Sequence, residues 1–168
     1  MSLRDKLHVE IIPGRVSLQP NRRLLSSLAW YAGITAAIAI FLAVFYVRIG
    51  EPGRIVCFAL MIYFVGHSLV DYVFRFNVRY EFDRETNAVY KENPPFGKKR
   101  LMALNEMVVF TKSGSGEWHY AMGKKKQQFV KNYKISPAFG GGKAQEQRAT
   151  EFEETILNPI LALVPAPL

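Results

Sequence analysis

The chain has 168 residues, 22 Lys+Arg against 14 Asp+Glu, and apolar side chains at 49% of its positions. That length holds one ordinary domain, or a small domain with a membrane anchor. Its single cysteine, Cys57, excludes an internal disulfide and a cysteine-based metal site, and the lack of disulfides fits a reducing compartment.

In chain order, His8 to Leu18 (HVEIIPGRVSL) reads as two short strands about a Pro-Gly turn. An isolated hairpin is barely stable in water, so residues 1–21 are expected to join the sheet of the later domain. From Leu24 to Val47 there is no charged residue; as a helix this run measures roughly 36 Å, enough to cross a bilayer with tilt. Arg22 and Arg23 bound one end and Arg48 the other, while Trp30, Tyr31 and Tyr46 suit interfacial belts. Gly33, Ala36 and Ala37, with Ala39 and Ala43, permit close helix packing. A second apolar run, Ile55–Val70, is short for a span, and extends to Phe76 once Asp71 and Arg75 pair across one helical turn at the interface.

Between the runs, Arg48–Arg54 carries Gly50, Pro52 and Gly53 and is expected to be the turn of an antiparallel hairpin. The anchor then covers residues 22–76, with spans at 24–47 and 55–76. Cations crowd both flanks (Arg4, Lys6, Arg15, Arg22 and Arg23 before; Arg75, Arg79, Arg84, Lys91, Lys98, Lys99 and Arg100 after), against Arg48 and Arg54 in the turn. The positive-inside rule therefore expects both termini in the cytoplasm. A cleavable signal peptide is disfavoured, because the apolar run starts late, is long, and lacks a small-x-small cleavage site.

Beyond the spans, Val78–Phe82, Ala88–Lys91, Lys99–Leu104, Met107–Thr111, Trp118–Met122 and Phe129–Ser136 read as strands. Turn chemistry separates them at Asp83–Asn87, Asn93–Gly97, Ser113–Gly116 and Gly123–Lys126. A helix is expected from about Ala144, with Phe152, Ile156, Leu157 and Ile160 at helical spacing and Pro159 bending or ending it. The fold class is thus an α+β membrane protein. A transmembrane helical hairpin carries, over residues 77–168, a small antiparallel β sheet or barrel with a C-terminal helix.

The Tyr80–Asn87 stretch (YEFDRETN), Phe96-Gly97-Lys98-Lys99-Arg100 and the terminal helix together resemble bacterial pleckstrin-homology-like (PH-like) domains joined to two transmembrane helices. The resemblance covers residues 78–164 and implies an architecture at the bacterial inner membrane, with no catalytic residue to carry over. The β segment ahead of the first span is additional to that pattern, and no lipid-headgroup signature is present.

His8, His67 and His119 lack metal-ligand spacing, and neither a phosphate loop nor a nucleophile elbow occurs, so no catalytic residue, metal or cofactor is expected. His67 and Asp71 admit two readings: an intramembrane proton relay, or an interfacial pair with Asp71 bound to Arg75 and His67 to the neighbouring helix. Lys98-Lys99-Arg100 and Lys124-Lys125-Lys126 are candidates for a membrane-surface or partner-binding site, and equally for solvated hairpin tips. The function these features imply is that of a non-catalytic adaptor, presenting a basic domain at the membrane to a protein partner or anionic lipid. One alternative is an immunity protein against a secreted membrane-acting toxin. Another is a small membrane enzyme or transporter subunit using His67 and Asp71. Expected partners are membrane lipids, anionic ones included, and a protein or a second copy of the chain; nucleic acid is disfavoured, because the aromatics form no stacking platform.

Overall fold

The computed structural model describes residues 2–22, 24–94 and 96–165; Arg23, counted above among the flanking cations, and Pro95, in an expected turn, lie outside them. In chain order the elements are α1 (Leu3–Lys6), β1 (Glu10–Ile12), β2 (Arg15–Leu18), α2 (Leu24–Phe45), α3 (Glu51–Asp71), β3 (Arg79–Asp83), β4 (Ala88–Asn93), β5 (Gly97–Ala103), β6 (Met107–Gly114), β7 (Glu117–Lys124), β8 (Asn132–Lys134), α4 (Lys143–Phe152) and α5 (Asn158–Leu161). They form two compact units, Met1–Arg22 with Asn77–Leu168, and Arg23–Phe76.

In the helical unit, α2 and α3 are both long and apolar enough to cross a membrane. Only 6% of each apolar window is buried, whereas the core helix of a soluble protein would be covered. Tyr31, near the start of α2, meets Phe64 and His67 near the end of α3 at ring-centroid distances of 6.0 and 5.2 Å, so the helices run antiparallel. The connection is shorter than expected. Pro52 and Gly53 belong to the first turn of α3, with Gly50 as its cap. Proline suits that turn, where its missing N–H has no helical partner to lose. Past Asp71 the helix widens into a π turn, Tyr72–Phe76.

In the other unit, β1 to β5 form one antiparallel sheet in sequential order, and β6, β7 and β8 form a second. No barrel closes among the described residues: the 3-10 turn Leu104–Glu106 separates the sheets. Strand alternation turns Val16, Leu18, Tyr80, Phe82 and Val89 toward the core. Leu104, Met122, Ile135 and Phe139 complete it with Phe152, Ile156 and Ile160 from the C-terminal helix. Burying a side chain such as Phe152 contributes about 3 kcal/mol. Pro159 does not end that helix, which runs on to Leu161. A π turn, Glu153–Leu157, widens the helix where the proline ring would otherwise meet the carbonyl of Thr155.

Residues ahead of α2 are structural members of this unit. β2 lies between β1 and β3, with Val16 opposite Phe82 and Leu18 opposite Tyr80. α1 is closed by a capping box: the Asp5 N–H donates to Ser2 Oγ and the Ser2 N–H to Asp5 Oδ2. The Leu3 N–H donates to Glu151 Oε1 on α4 at 2.8 Å.

Candidate functional site

The outer face of the five-stranded sheet carries a lattice of charge. Glu81, 8% exposed, lies 2.8 Å from Lys98 Nζ through Oε2 and 3.1 Å from Arg15 Nε through Oε1. The second contact lacks hydrogen-bond alignment, so charge alone holds that buried oxygen. Arg15 also reaches Asp83 at 3.5 Å, and Arg79 pairs with Glu10 and donates to Ser17 Oγ at 2.7 Å. Burial pushes the Asp83 carboxyl up. Hydrogen bonds from the Thr86 hydroxyl and N–H and the Glu85 N–H, with Arg15 nearby, outweigh it and hold Asp83 below its ordinary value.

Alternation divides the first basic cluster. Lys98 stands opposite Glu92 and Arg100 opposite Tyr90, on the outer face; Lys99 stands opposite Lys91, on the other. Lys98 lies over the Tyr90 ring at 4.4 Å, and Arg100 Nη2 donates to the Asn87 carbonyl at 3.4 Å. Two of the three cations are therefore tied into the sheet. β5 is also an edge strand, where lysines discourage pairing with another chain.

Phe129 and Val130, expected in a strand, lie instead in the loop before the short β8, 85% and 92% exposed. Lys124, Lys125, Lys126 and Lys131 flank them. Lys124 Nζ is 3.1 Å from Glu106 Oε2, and the Lys125 N–H donates to the Glu106 carbonyl at 2.7 Å. Gly123 is required beneath the loop, since a Cβ there would meet Gln128 Cα at 2.8 Å. The lysines on either side were the available sign of a solvated loop.

Lys98 and Lys99 lie toward one end of the sheet and the Lys124 cluster toward the other, with Arg100 reaching back to Asn87 between them. Arg84 donates to the Gly14 carbonyl, and Leu104 to that of Asn87, so the β1–β2 turn, the β3–β4 turn and the turn next to Lys124 share one end. Leu18, Arg79, Glu92 and Lys98 mark the other; the β4–β5 hairpin tip projects beyond it, and the Leu7 carbonyl, at the end of α1, accepts from the Gln19 N–H there.

Within the helical unit, His67, Asp71 and Arg75 come together. Asp71 is 4% exposed, with Arg75 Nη1 3.0 Å from Oδ1 and His67 Nε2 3.9 Å from Oδ2. His67 also meets the Tyr31 and Tyr63 rings. Ala36 lines a shallow apolar groove between α2 and α3 with Ala32, Ala39 and Ser68. Gly33 and Ala37 are exposed, and a Cβ at Gly33 would touch nothing within 4 Å. Among the described residues no group of three or more His, Cys, Asp or Glu could hold a metal ion. No protein-family model, no curated protein and no solved structure matches this chain.

Proposed function

We propose that this chain is a non-catalytic integral membrane adaptor of the bacterial PH-like kind. Its helical hairpin anchors the β unit at the cytoplasmic face, and the Lys124–Lys131 loop is offered to a protein partner. The observation that carries the reading is the insertion of α2 and α3 between two hydrogen-bonded neighbours, β2 and β3. A single crossing would leave those strands on opposite sides of a bilayer, so the two apolar helices cross together or not at all. The uncovered surface of both helices favours crossing, and the excess of Lys and Arg in the flanks favours the cytoplasm for the β unit. The resemblance of Tyr80–Asn87, Phe96–Arg100 and the C-terminal helix to PH-like domains supports the kind of module. Most charges of the sheet face neutralise one another, whereas Phe129 and Val130 stand among cations. That pattern suits docking of an acidic, partly apolar protein surface.

Two measurements test this. In a Cys57→Ala background, Glu51→Cys should react with a membrane-impermeant maleimide in intact cells, and Glu85→Cys only after permeabilisation; equal labelling of both in intact cells would sink the topology. Copurification from mild detergent should recover a protein that Lys125→Glu/Lys126→Glu and Phe129→Ala each release, with thermal unfolding unchanged. Retention by both variants would remove the loop from the proposal.

A further inference from the structure

The β4–β5 hairpin tip lies at the end of the sheet where the chain leaves for the helices and returns from them. β2 ends at Leu18, opposite Tyr80, and β3 starts at Arg79, only Asn77 and Val78 beyond the helical segment that closes at Phe76. Three residue steps span at most about 11 Å, so the start of β3 is held close to that helix end by covalent length alone. Arg79 stands opposite Glu92, and Glu92 opposite Lys98, so the tip is two strand spacings, about 10 Å, to the side of Arg79. From that row the hairpin projects further, through Asn93 and Gly97, in the direction from which β3 arrives.

What projects is apolar and preformed. The Phe96 N–H donates to the Asn93 carbonyl at 2.7 Å, Pro94 fixes one backbone torsion, and Gly97 takes φ +73, a region costly for other residues. Phe96 is 63% exposed. Behind the tip, Lys91 and Lys99 stand directly opposite each other on one face, an unfavourable pairing that an anion between them would relieve.

We infer that this hairpin tip is a lipid-seated wedge: Phe96 and Pro94 enter the headgroup layer of the leaflet that the β unit faces, and Lys91 and Lys99 hold an anionic headgroup phosphate. The inference rests on the membrane reading above and adds to it a fixed orientation of the β unit on the bilayer. Two short linkers at one end of the sheet leave the β unit free to tilt; a further contact at the tip restricts it. The opposite end of the sheet, with the Lys124–Lys131 loop, is then held away from lipid and open to a partner.

The test uses the full chain with Cys57→Ala in nanodiscs of phosphatidylcholine and phosphatidylglycerol, some lipids carrying a nitroxide on the headgroup and others one deep on the acyl chain, which reaches the mid-span position of Ile62. An environment-sensitive fluorophore is placed at Phe96→Cys, at Glu85→Cys on the far end of the sheet, or at Ile62→Cys on α3. Emission from the Phe96 and Ile62 sites should be quenched and that from the Glu85 site retained. Quenching at Ile62 without quenching at Phe96 overturns the wedge and leaves the anchor standing; no quenching at Ile62 overturns both. If labelling at Phe96 disturbs folding, a spin label at Pro94→Cys replaces it, leaving Lys91 and Lys99 intact, and its contact with lipid should weaken when phosphatidylglycerol is omitted. Contact that is absent, or indifferent to the anionic lipid, counts against the phosphate site.

Discussion

Leu18 and Tyr80 are cross-strand partners, although the whole helical unit lies between them in the chain. Leu18 is fully buried and Tyr80 nearly so, and both side chains enter the core with Val16 and Phe82. A sheet normally joins neighbouring antiparallel strands by a tight turn, which costs little chain entropy. Here the closure is long, so side-chain burial and the ladder itself must hold the two strands together.

Val16→Asp is expected to open that closure. Val16 is 1% exposed and faces Phe82, so a carboxylate there has neither water nor a partner. The β unit should lose about 3 kcal/mol or more. Limited proteolysis should then cut between residues 77 and 165 in the variant and not in the parent, while α2 and α3 remain protected. An unchanged digestion pattern would show that β2 is dispensable.

Glu81→Gln should cost about 1–3 kcal/mol, because it strips Lys98 and Arg15 of a shared, largely buried carboxylate. Adding Lys98→Met to that variant should restore part of the loss, since one stranded cation is gone. Chemical denaturation of the four proteins of that cycle measures the coupling. Strict additivity would mean that the 2.8 Å contact contributes nothing.

Alkaline unfolding should report on Tyr120. Burial, followed by the hydrogen bond its hydroxyl donates to Glu153, raises this phenol from 10.0 to about 12. The folded state therefore holds the proton more tightly than the unfolded chain. The resulting stability is complete below about 10 and is lost as pH climbs toward about 12. Tyr80 is raised for the same leading reason, so Tyr120→Phe should flatten the alkaline limb of a thermal-unfolding profile without abolishing it. A parent protein whose midpoint does not fall across this range would contradict the assignment. Asp83, held low, works in the opposite sense: its contribution is present above the ordinary value of 3.8 and is lost at more acid pH.

The apolar runs were the most legible part of the chain, because an unbroken stretch such as Leu24–Phe45 needs no partner to declare itself. Pro52 misled by position: the same residue ends one helix or begins the next, and the neighbouring Gly50 cap decided for the second. The Ser2–Asp5 capping pattern is written in the sequence, but the single helical turn it closes is too short to show a periodicity. At the candidate surfaces, strand alternation alone divides Lys98 and Arg100 from Lys99. That Lys98 is answered by Glu81 depends on pairing between β3, β4 and β5, which no local pattern contains. At Phe129 and Val130 local pattern does not decide, because a β-prone pair beside Tyr133 suits an edge strand as well as a loop.

The position of β2 also sets an order of events during synthesis. The first strands emerge from the ribosome long before β3, and until then their polar groups and Val16 and Leu18 have no mate. On the proposed topology they wait until both helices have entered the bilayer and the chain has come back to the same side. A molecule whose second helix fails to cross can never complete this sheet, and its exposed strands mark it for proteolysis. On that topology, folding of the β unit is thereby a built-in check that one helix has not crossed without the other.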